Sequence, residues 1–463
     1  MHTNSAFRYR FHYRPALAPF DLYARTWNVE RAPHIQVFEG PTAHVFSDTS
    51  GRQEAGQMRS LRFRLPFLIA WGGAALAVLV TALAWAVGWP ANQGGAVAVS
   101  APAAHVWIPL EPKSEIAWIA DHETGPYITA HAAIVIDNVT GTVLYSKNPH
   151  QTRAPASTTK ILTALLALEK GGLDEIVSVS RYAAGTTGST ARLYTGQKIR
   201  MIDLLHGLLL SSGNDAAVAV AEHIAGSEDA FVRLMNARAA ELGALNTRFQ
   251  NPHGLDKPGH FSTAYDLALL ARLALLYPTF AEIVAKQTYS SESGAWTNTN
   301  KLLWSYEGIE GIKTGTTGQA GYCLVATATQ NGMQLITVVL GSTDRWSDTR
   351  KLLDYGFDNF HLVTLADKGD VIARLPIDRG MDPIVAVTNR PLTVVVRDED
   401  VAHISTEWQI HPNLKAPIAR GQTVGTIQVY IGETLAKEVP LVSAADIERR
   451  TIFRTIWRWA TGA

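Results

Sequence analysis

Ser157 and Lys160 place a hydroxyl and an amine three residues apart, where a helical pattern begins. On a helix this spacing puts both side chains on one face. A serine hydroxyl is a poor nucleophile until a neighbour accepts its proton, and lysine accepts it only if burial or nearby positive charge lowers its pKa. The N–H groups at a helix start would also face a developing oxyanion. The pair therefore predicts catalysis through a serine ester.

The S-x-x-K spacing is expected about once by chance in a chain of this length, so it needs support from other motifs. Ser212-Gly213-Asn214 follows an apolar helical run, and Lys313-Thr314-Gly315 comes later in the chain. A strand that carries Lys and Thr, with a Gly that admits a substrate backbone, suits binding of a terminal carboxylate. Ser146-Lys147-Asn148 also reads S-x-N, but we interpret it as a turn.

The order S-x-x-K, S-x-N and K-T-G is typical of penicillin-binding proteins and class A β-lactamases. The stretches 155–160, 212–217, 251–256 and 311–317 resemble the D-alanyl-D-alanine carboxypeptidases, the low-molecular-mass penicillin-binding proteins. The resemblance runs from about Ala132 to the C-terminus. It implies removal of the terminal D-alanine from peptidoglycan stem peptides, a role in cell-wall maturation and cell shape, and covalent inhibition by β-lactams.

The resemblance also implies a role for each motif residue. Ser157 would be the acyl-ester nucleophile, Lys160 its general base and Ser212 a proton shuttle toward the leaving D-alanine. Five residues would bind the substrate: Asn214, Lys313, Thr314, Gly315 and Thr316. Among them, Lys313 and Thr314 would hold the terminal carboxylate, and the N–H groups of Ser157 and Thr316 would form the oxyanion hole.

Three further expectations concern side chains close to these motifs. The positive charge of Lys313 would favour the neutral amine of Lys160. His253, in a loop with Pro and Gly, is interpreted as structural rather than as a general base. Asp215 is interpreted as a brace for the loop that presents Asn214.

The flanking patterns predict an α/β (α+β) domain of the β-lactamase/DD-peptidase type over residues 113–376. Residues 132–136 and 143–146 form β-prone runs joined by a turn, and residues 322–329 and 333–340 form another pair joined by Asn331-Gly332. Helical patterns cover 201–224, 228–242 and 263–276 between them. Strands at both ends with helices between them predict one antiparallel sheet flanked by helices.

The chain after this domain changes character. Residues 377–443 carry short β-prone runs and predict a small all-β domain. Residues 444–463 show a helical period, with an aromatic apolar face and an arginine face. This pattern favours a helix that associates with anionic lipid, and a helix docked on the β domain is the alternative.

The N-terminal part contains a candidate membrane segment. Residues 65–89 carry no charged side chain, three arginines precede them, and this arrangement predicts a cytoplasmic N-terminus with the rest of the chain outside. We divide the region into an uncertain extension (1–57), with translation starting at Met58, a signal peptide or anchor (58–90) and a linker (91–112). The expected location is the extracytoplasmic face of the bacterial cytoplasmic membrane.

The composition of the chain gives no indication of a nucleic-acid partner, a metal or a cofactor. Lys plus Arg and Asp plus Glu each number 41, so no charge imbalance points to nucleic acid. Cys323 is the single cysteine and lies in an apolar run, which favours a buried thiol. The histidines form no metal-ligand spacing with it, and neither a metal nor a cofactor is expected.

Two other functions share parts of this pattern. A class A β-lactamase would need a Glu-x-x-x-Asn loop between the second and third motifs, and none lies between Asn214 and Lys313. A non-catalytic penicillin-binding scaffold would have no need to keep all the motif residues.

Overall fold

The structure is a computed structural model that describes residues 125–452 and, upstream, the strands β1 (Tyr9–Tyr13) and β2 (Trp27–Val29). The predicted export segment, the linker and residues 453–463 lie outside the described residues. Within the described part, no single helix has the length and apolar character to cross a membrane, although the helices Ala264–Ala274 and Pro278–Ala285, bent by 109°, meet that criterion as a pair.

The first described domain combines nine strands with eight α-helices. Its strands are β3 (Ala132–Asp137), β4 (Val143–Lys147), β5 (Ile176–Ser178), β6 (Lys198–Arg200), β7 (Thr288–Ser291), β8 (Gly294–Thr297), β9 (Ile309–Thr317), β10 (Gly321–Gln330) and β11 (Met333–Ser342). Its helices are α1 (Lys160–Lys170), α2 (Arg181–Ala184), α3 (Met201–Leu209), α4 (Asn214–Ala225), α5 (Glu228–Glu241), α6 (Ala264–Ala274), α7 (Pro278–Ala285) and α8 (Arg345–Asn359).

Five of these strands form the antiparallel sheet that the sequence predicts, in the order β4-β3-β11-β10-β9. The chain enters it through the hairpin β3–β4 and returns through β9–β11, so its two ends share one sheet. The β10–β11 turn works because Asn331 and Gly332 both take positive φ, 50° and 78°, which matches the strand twist. The motif strand β9 lies at the sheet edge, where a groove can open beside it.

Both faces of the sheet are covered, because strand residues alternate between two cores. Ile134 and Ile136 of β3 pack toward the helices α1 and α3–α7, whereas Ala133 and Val135 pack toward α8. A buried sheet of this kind fixes the position of β9 with little freedom.

The helical run predicted over residues 201–224 is two helices, α3 and α4, separated at residues 210–213. Ser212 has a positive φ of 62°, and a Cβ on Gly213 would come within 2.8 Å of Ala191. Residues 211–215 are Ser-Ser-Gly-Asn-Asp, a polar stretch that interrupts the apolar pattern and that the predicted helical run passed over. The break makes Asn214 the first residue of α4.

The β-rich part after α8 contains β12 (Phe360–Ala366), β13 (Val371–Leu375), β14 (Ile384–Thr388), β15 (Leu392–Arg397), β16 (Ile404–Ile410), β17 (Thr423–Ile431) and β18 (Thr434–Ser443). Its main sheet has the order β13-β14-β18-β17-β16-β1-β2, and β12 pairs with β15. The predicted domain limit at residue 376 therefore falls inside this part. The two strands from the first 57 residues were not predicted, because no sustained periodicity marks them.

The helix predicted over residues 444–463 does not begin at 444. Residues 444–451 are not helical: the chain bends at residues 444 and 445, and then Ile447 forms a bridge with Ile418 and Arg449 forms one with Gly380. Ile447 is buried in the core of the β domain, so these residues serve that domain rather than a helix. Most of the predicted amphipathic helix lies outside the described residues.

Asp348 of α8 ties the start of the domain to the end of its central strand. Its buried carboxylate accepts hydrogen bonds from the N–H groups of Thr129 and Ala130, at 2.9 and 2.8 Å. It also accepts from the hydroxyls of Thr129 and Ser342, at 2.7 and 2.6 Å. Burial acts to raise the pKa of Asp348, but the hydrogen bonds from Ser342 and Thr129 outweigh it and hold the pKa below its usual range.

We expect Asp348→Ala to lower the free energy of unfolding by about 2–4 kcal/mol, because it leaves buried donors without an acceptor. The exposed Asp358 of the same helix provides the control, and Asp358→Ala should change that energy by less than about 0.5 kcal/mol. Urea unfolding followed by circular dichroism measures both.

The loss should also depend on pH. Because the folded-state pKa of Asp348 is depressed, its contribution is present above the unfolded pKa of roughly 4 and is lost as the pH falls through the folded value. Equal unfolding energies for Asp348→Ala and Asp358→Ala at pH 7 would contradict this role for Asp348.

Candidate active site

Ser157 lies in a 3₁₀ turn, Ala156–Thr159, that leads directly into α1. The side chain is partly exposed, whereas the rest of the turn is buried. Two glycines pack against the turn backbone: a Cβ on Gly254 would overlap the carbonyl of Ala156, and one on Gly315 would lie 3.0 Å from the Ser157 nitrogen. The predicted helix start is therefore present, with the serine wedged between a loop and the edge strand.

The amine of Lys160 is fully buried and lies among three oxygens. Its Nζ is 2.9 Å from Ser157 Oγ, 2.7 Å from Asn214 Oδ1 and 2.7 Å from the carbonyl oxygen of His253. Asn214 Oδ1 and the carbonyl can only accept, whereas a serine hydroxyl can also donate. A neutral amine gives one N–H to each of the two fixed acceptors, and its lone pair then points at the hydroxyl of Ser157.

The pKa of Lys160 lies well below its usual value, as its role requires. Burial is the largest cause, and the positive charge of Lys313 is the second. Asp215 acts in the opposite direction without reversing the result. The expected effect of Lys313 is thus present, but desolvation of the amine comes first.

The start of α4 orients the amide of Asn214. Its Nδ2 donates to the carbonyl of Thr187 at 2.7 Å, which leaves Oδ1 free to face Lys160. Its backbone N–H donates to the carbonyl of Ser189 at 2.7 Å. The loop around residues 187–193 therefore fixes which end of the amide Lys160 meets.

Asp215 braces that same loop, as the sequence predicts. Its buried carboxylate accepts from the Thr190 hydroxyl at 2.6 Å and from the N–H groups of Ala191 and Leu193, at 2.8 and 3.1 Å. Because both carboxylate oxygens accept these bonds, neither is free to accept a proton from a substrate as a general base. Asp215 therefore acts on the site through the loop.

Ser212 lies in the break between α3 and α4, in the left-handed conformation. Its side chain is buried, and its hydroxyl has no hydrogen-bond partner among the described residues. A buried hydroxyl without a partner is costly in a folded protein. Such a group is available to a ligand that enters the cleft.

The motif strand β9 carries the second cation. Lys313 is buried, and its Nζ donates to the carbonyl of Thr314 at 3.1 Å. Burial, and then the charge of Arg345, lowers the pKa of Lys313 to about 7. The Thr314 hydroxyl pairs with that of Thr299 at 2.7 Å.

Arg345, the first residue of α8, contacts the motif strand β9. It was not among the site residues predicted from the sequence. Its Nη1 donates to the carbonyl of Gly315 at 2.7 Å and to the Thr316 hydroxyl at 2.9 Å. The guanidinium lies 4.8 Å from the ring centre of Trp346 and 5.2 Å from that of Tyr322. It is separated from Thr316 by 29 residues, so no local motif could have identified it.

His253 contributes its backbone, and its ring is a poor base. Burial, followed by the charge of Lys160, lowers its ring pKa to about 3. The ring Nδ1 accepts from the N–H of Leu255 at 3.2 Å and thereby shapes the loop. The structural interpretation of His253 agrees with this geometry, but its carbonyl contact with Lys160 was not foreseen.

The predicted residues therefore meet in one place. Ser157, Lys160 and Asn214 form a continuous hydrogen-bonded set, and Gly315 packs the edge strand against the nucleophile turn. Ser212 lies two residues before Asn214, and its buried hydroxyl makes no hydrogen bond to this set. Cys323 is buried, as predicted, and burial raises its thiol pKa to about 11, which makes it inert at neutral pH. A serine beside a neutral amine, with cations nearby, can form an ester with an anionic acyl donor.

Comparisons with known proteins agree with this chemistry. The family model described as D-alanyl-D-alanine carboxypeptidase matches residues 119–344, and the model of the penicillin-binding protein 5 C-terminal domain matches residues 360–449. The carboxypeptidase DacF of Bacillus subtilis is 37% identical over 338 residues, which cover 69% of this chain and 86% of the relative. The carboxypeptidase DacC of Escherichia coli is 36% identical over 352 residues, 72% of this chain and 88% of the relative.

A solved structure extends the similarity to three dimensions. Penicillin-binding protein 5 from Haemophilus influenzae aligns with a TM-score of 0.64 at 31% identity, covering 70% of this chain and 99% of that one. The alignment spans both the sheet-and-helix domain and the trailing β domain. On these grounds the chain belongs to the D-alanyl-D-alanine carboxypeptidase family of serine peptidases.

Proposed function

We propose that this carboxypeptidase removes the terminal D-alanine from peptidoglycan stem peptides through an acyl-enzyme at Ser157, which β-lactams also form. The observation that carries the proposal is the amine of Lys160, whose two fixed acceptors aim its lone pair at the Ser157 hydroxyl. This is a nucleophile with its base already in hydrogen-bond contact.

In the acylation step, Ser157 Oγ attacks the carbonyl carbon of the penultimate D-alanine while its proton passes to Lys160. The carbonyl oxygen becomes an oxyanion, which the N–H groups of Ser157 and Thr316 stabilise. Support for this pair comes from Gly315, which holds the strand next to the Ser157 nitrogen. The C–N bond then breaks and leaves the ester on Ser157.

The departing D-alanine needs a proton on its nitrogen. We assign its delivery to Ser212, which receives a proton from Lys160 as it gives its own. The buried, unpartnered hydroxyl of Ser212 supports this assignment, since an incoming amine would supply the missing hydrogen bond. Water then attacks the ester carbonyl while its proton passes to Lys160, and Lys160 returns that proton to Ser157 Oγ as the ester C–O bond breaks. This releases the shortened peptide and restores the free enzyme.

The terminal carboxylate is held by Lys313, Thr314 and Arg345 in this proposal, while Asn214 orients the substrate and Lys160. Without that carboxylate, the buried Lys313 and the half-buried Arg345 beside the edge strand would have no counter-charge from the substrate side. A carboxylate placed there gains charge-assisted hydrogen bonds that a neutral end would not.

The domain limits and the location are also proposals. We divide the catalytic part from the β domain near residue 360, because β12 already pairs with β15. Residues 58–90 would direct the enzyme across the cytoplasmic membrane, and either they or the C-terminal segment would hold it at the outer face. Protease added to spheroplasts should digest the enzyme while sparing cytoplasmic proteins, and protection of the catalytic domain in intact spheroplasts would contradict this location.

Ser157→Ala should abolish both D-alanine release and covalent labelling by fluorescent penicillin, because it removes the hydroxyl that lies 2.9 Å from the Lys160 amine. The loss in turnover should be at least about 10³-fold. Ser305→Ala, at an exposed serine outside the cleft, should leave both activities unchanged. Labelling that survives Ser157→Ala would overturn the mechanism.

The wild-type enzyme also separates the alternatives in the same assay. A stable penicillin adduct with D-alanine release supports the carboxypeptidase mechanism. Rapid penicillin turnover would favour a β-lactamase, and labelling without D-alanine release would favour a scaffold.

The acid limb of the penicillin acylation rate should shift to higher pH in Lys313→Gln. The active form of Lys160 is neutral and exists above its pKa, and the positive charge of Lys313 lowers that pKa. Removing the charge therefore raises the pKa of Lys160, so a higher pH is needed for the same neutral fraction. Stopped-flow labelling across pH measures the limb, and Lys257→Gln, at an exposed cation, is the control. An unshifted limb in Lys313→Gln would mean that burial alone sets the pKa of Lys160.

A further inference from the structure

Asp256 joins the loop that contains residues 251–256 to the end of β9, although it belongs to none of the three motifs S-x-x-K, S-x-N and K-T-G. It ends the loop 251–256, and its carboxylate accepts from the Thr317 hydroxyl at 2.6 Å through Oδ1. Oδ2 accepts from the backbone N–H of Gln319 at 3.1 Å. Asp256 therefore holds the end of β9 and the turn that follows it.

The other end of the same loop touches the catalytic residues. The carbonyl of His253 accepts from Lys160, and Gly254, with φ of 91°, packs on the carbonyl of Ala156 where no side chain fits. Asn251 stiffens the loop from inside, because its Oδ1 accepts from the Gly254 N–H at 2.7 Å and its Nδ2 donates to the Leu255 carbonyl at 2.9 Å. A shift at Asp256 would therefore be passed to the acceptor of the Lys160 amine.

The end of β9 that Asp256 holds lies next to the proposed oxyanion hole. Thr317 directly follows Thr316, whose N–H we place in the oxyanion hole. The Thr317 hydroxyl also accepts from the N–H of Ala320 at 3.1 Å. This one hydroxyl therefore links the Asp256 carboxylate to the β9–β10 turn. Both bonds fix the direction in which the last residues of β9 present their backbone.

We propose that Asp256 is a positioning residue for acyl-enzyme formation. By joining the loop that holds Lys160 to the strand that carries the oxyanion hole, it fixes the separation of the general base and the oxyanion donors across the groove. This inference rests on the proposed acyl-enzyme at Ser157. It concerns the placement of the backbone, so its effect does not depend on whether the acyl donor has a free carboxylate.

Asp256→Ala should reduce the rate of acylation by penicillin roughly 10- to 100-fold in the full-length enzyme, since small misplacements of reacting groups cost this much. The same factor should appear with a thioester donor whose carboxylate is blocked as an amide. Arg345→Ala provides the contrast, because its defect should fall mainly on donors with a free carboxylate. Asp256→Asn keeps an acceptor oxygen and should fall between wild type and Asp256→Ala.

Thr317→Val removes the partner hydroxyl and allows a double-mutant cycle. If Asp256 acts through Thr317, the double variant should acylate about as slowly as the slower single variant rather than at the product of the two losses. Asp354→Ala is the matched control, since Asp354 is also exposed and accepts a side-chain hydroxyl, that of Tyr306 at 2.8 Å. All variants are compared by thermal unfolding, and the melting temperatures of Asp256→Ala and Asp354→Ala should agree within about 4 °C.

Three outcomes would overturn the proposal: acylation at the wild-type rate in Asp256→Ala, independent losses in the cycle, or a defect confined to donors with a free carboxylate. A fall in acylation only in proportion to lost folded protein would also overturn it. Failure of the proposed function is distinguishable, because then the wild-type enzyme would not be labelled at Ser157 at all.

Discussion

The buried amine of Lys160 is the constraint on which the rest of the site depends. An ammonium ion in this position would be costly to desolvate, whereas a neutral amine needs only two acceptors for its N–H groups. The protein supplies one from a loop, the carbonyl of His253, and one from a helix, the amide of Asn214. The loop of His253, the start of α4 and the turn of Ser157 must therefore keep fixed relative positions for the lone pair to face the Ser157 hydroxyl. This requirement explains the many supporting hydrogen bonds around the few reacting atoms.

The same cleft concentrates positive charge. Lys313 is buried, and burial also lowers the pKa of Arg345, whose side chain is stacked between Tyr322 and Trp346. Cations held close together in a low-dielectric region repel one another, and a carboxylate relieves that repulsion when it binds. In the proposed binding mode, relief of this repulsion contributes to the binding of an anionic substrate. The repulsion also serves catalysis, since the charge at Lys313 helps to keep Lys160 neutral.

Local signals in the sequence predicted the parts of this arrangement that are local in space. Asn331-Gly332 closes a hairpin and is identified from two adjacent residues, whereas Ser157 and Lys160 share a helix start but needed the S-x-N and K-T-G motifs as support. The prediction of one helical run over residues 201–224 overlooked the polar Ser211 and Ser212 and the following Gly213, and the packing of Gly213 against Ala191 shows why no side chain fits at this break. Arg345 and the His253 carbonyl reach the site through the fold, one from a distant helix and one through its backbone. The helix predicted over residues 444–463 does not include residues 444–451, because Ile447 packs in the core of the β domain, and most of its other residues lie outside the described part.

Gly315 has a packing role that the sequence analysis did not predict. Its small size suggested room for a substrate backbone, yet a Cβ there would crowd Ala156 and Ser157 of the enzyme itself, at 3.0 Å. Gly254 meets the same turn from the other side. Backbone-to-backbone packing thus positions the nucleophile, and side chains then set its chemistry. A side chain at either glycine would push on the turn that carries Ser157 and move its hydroxyl relative to the Lys160 amine, so both glycines position the nucleophile.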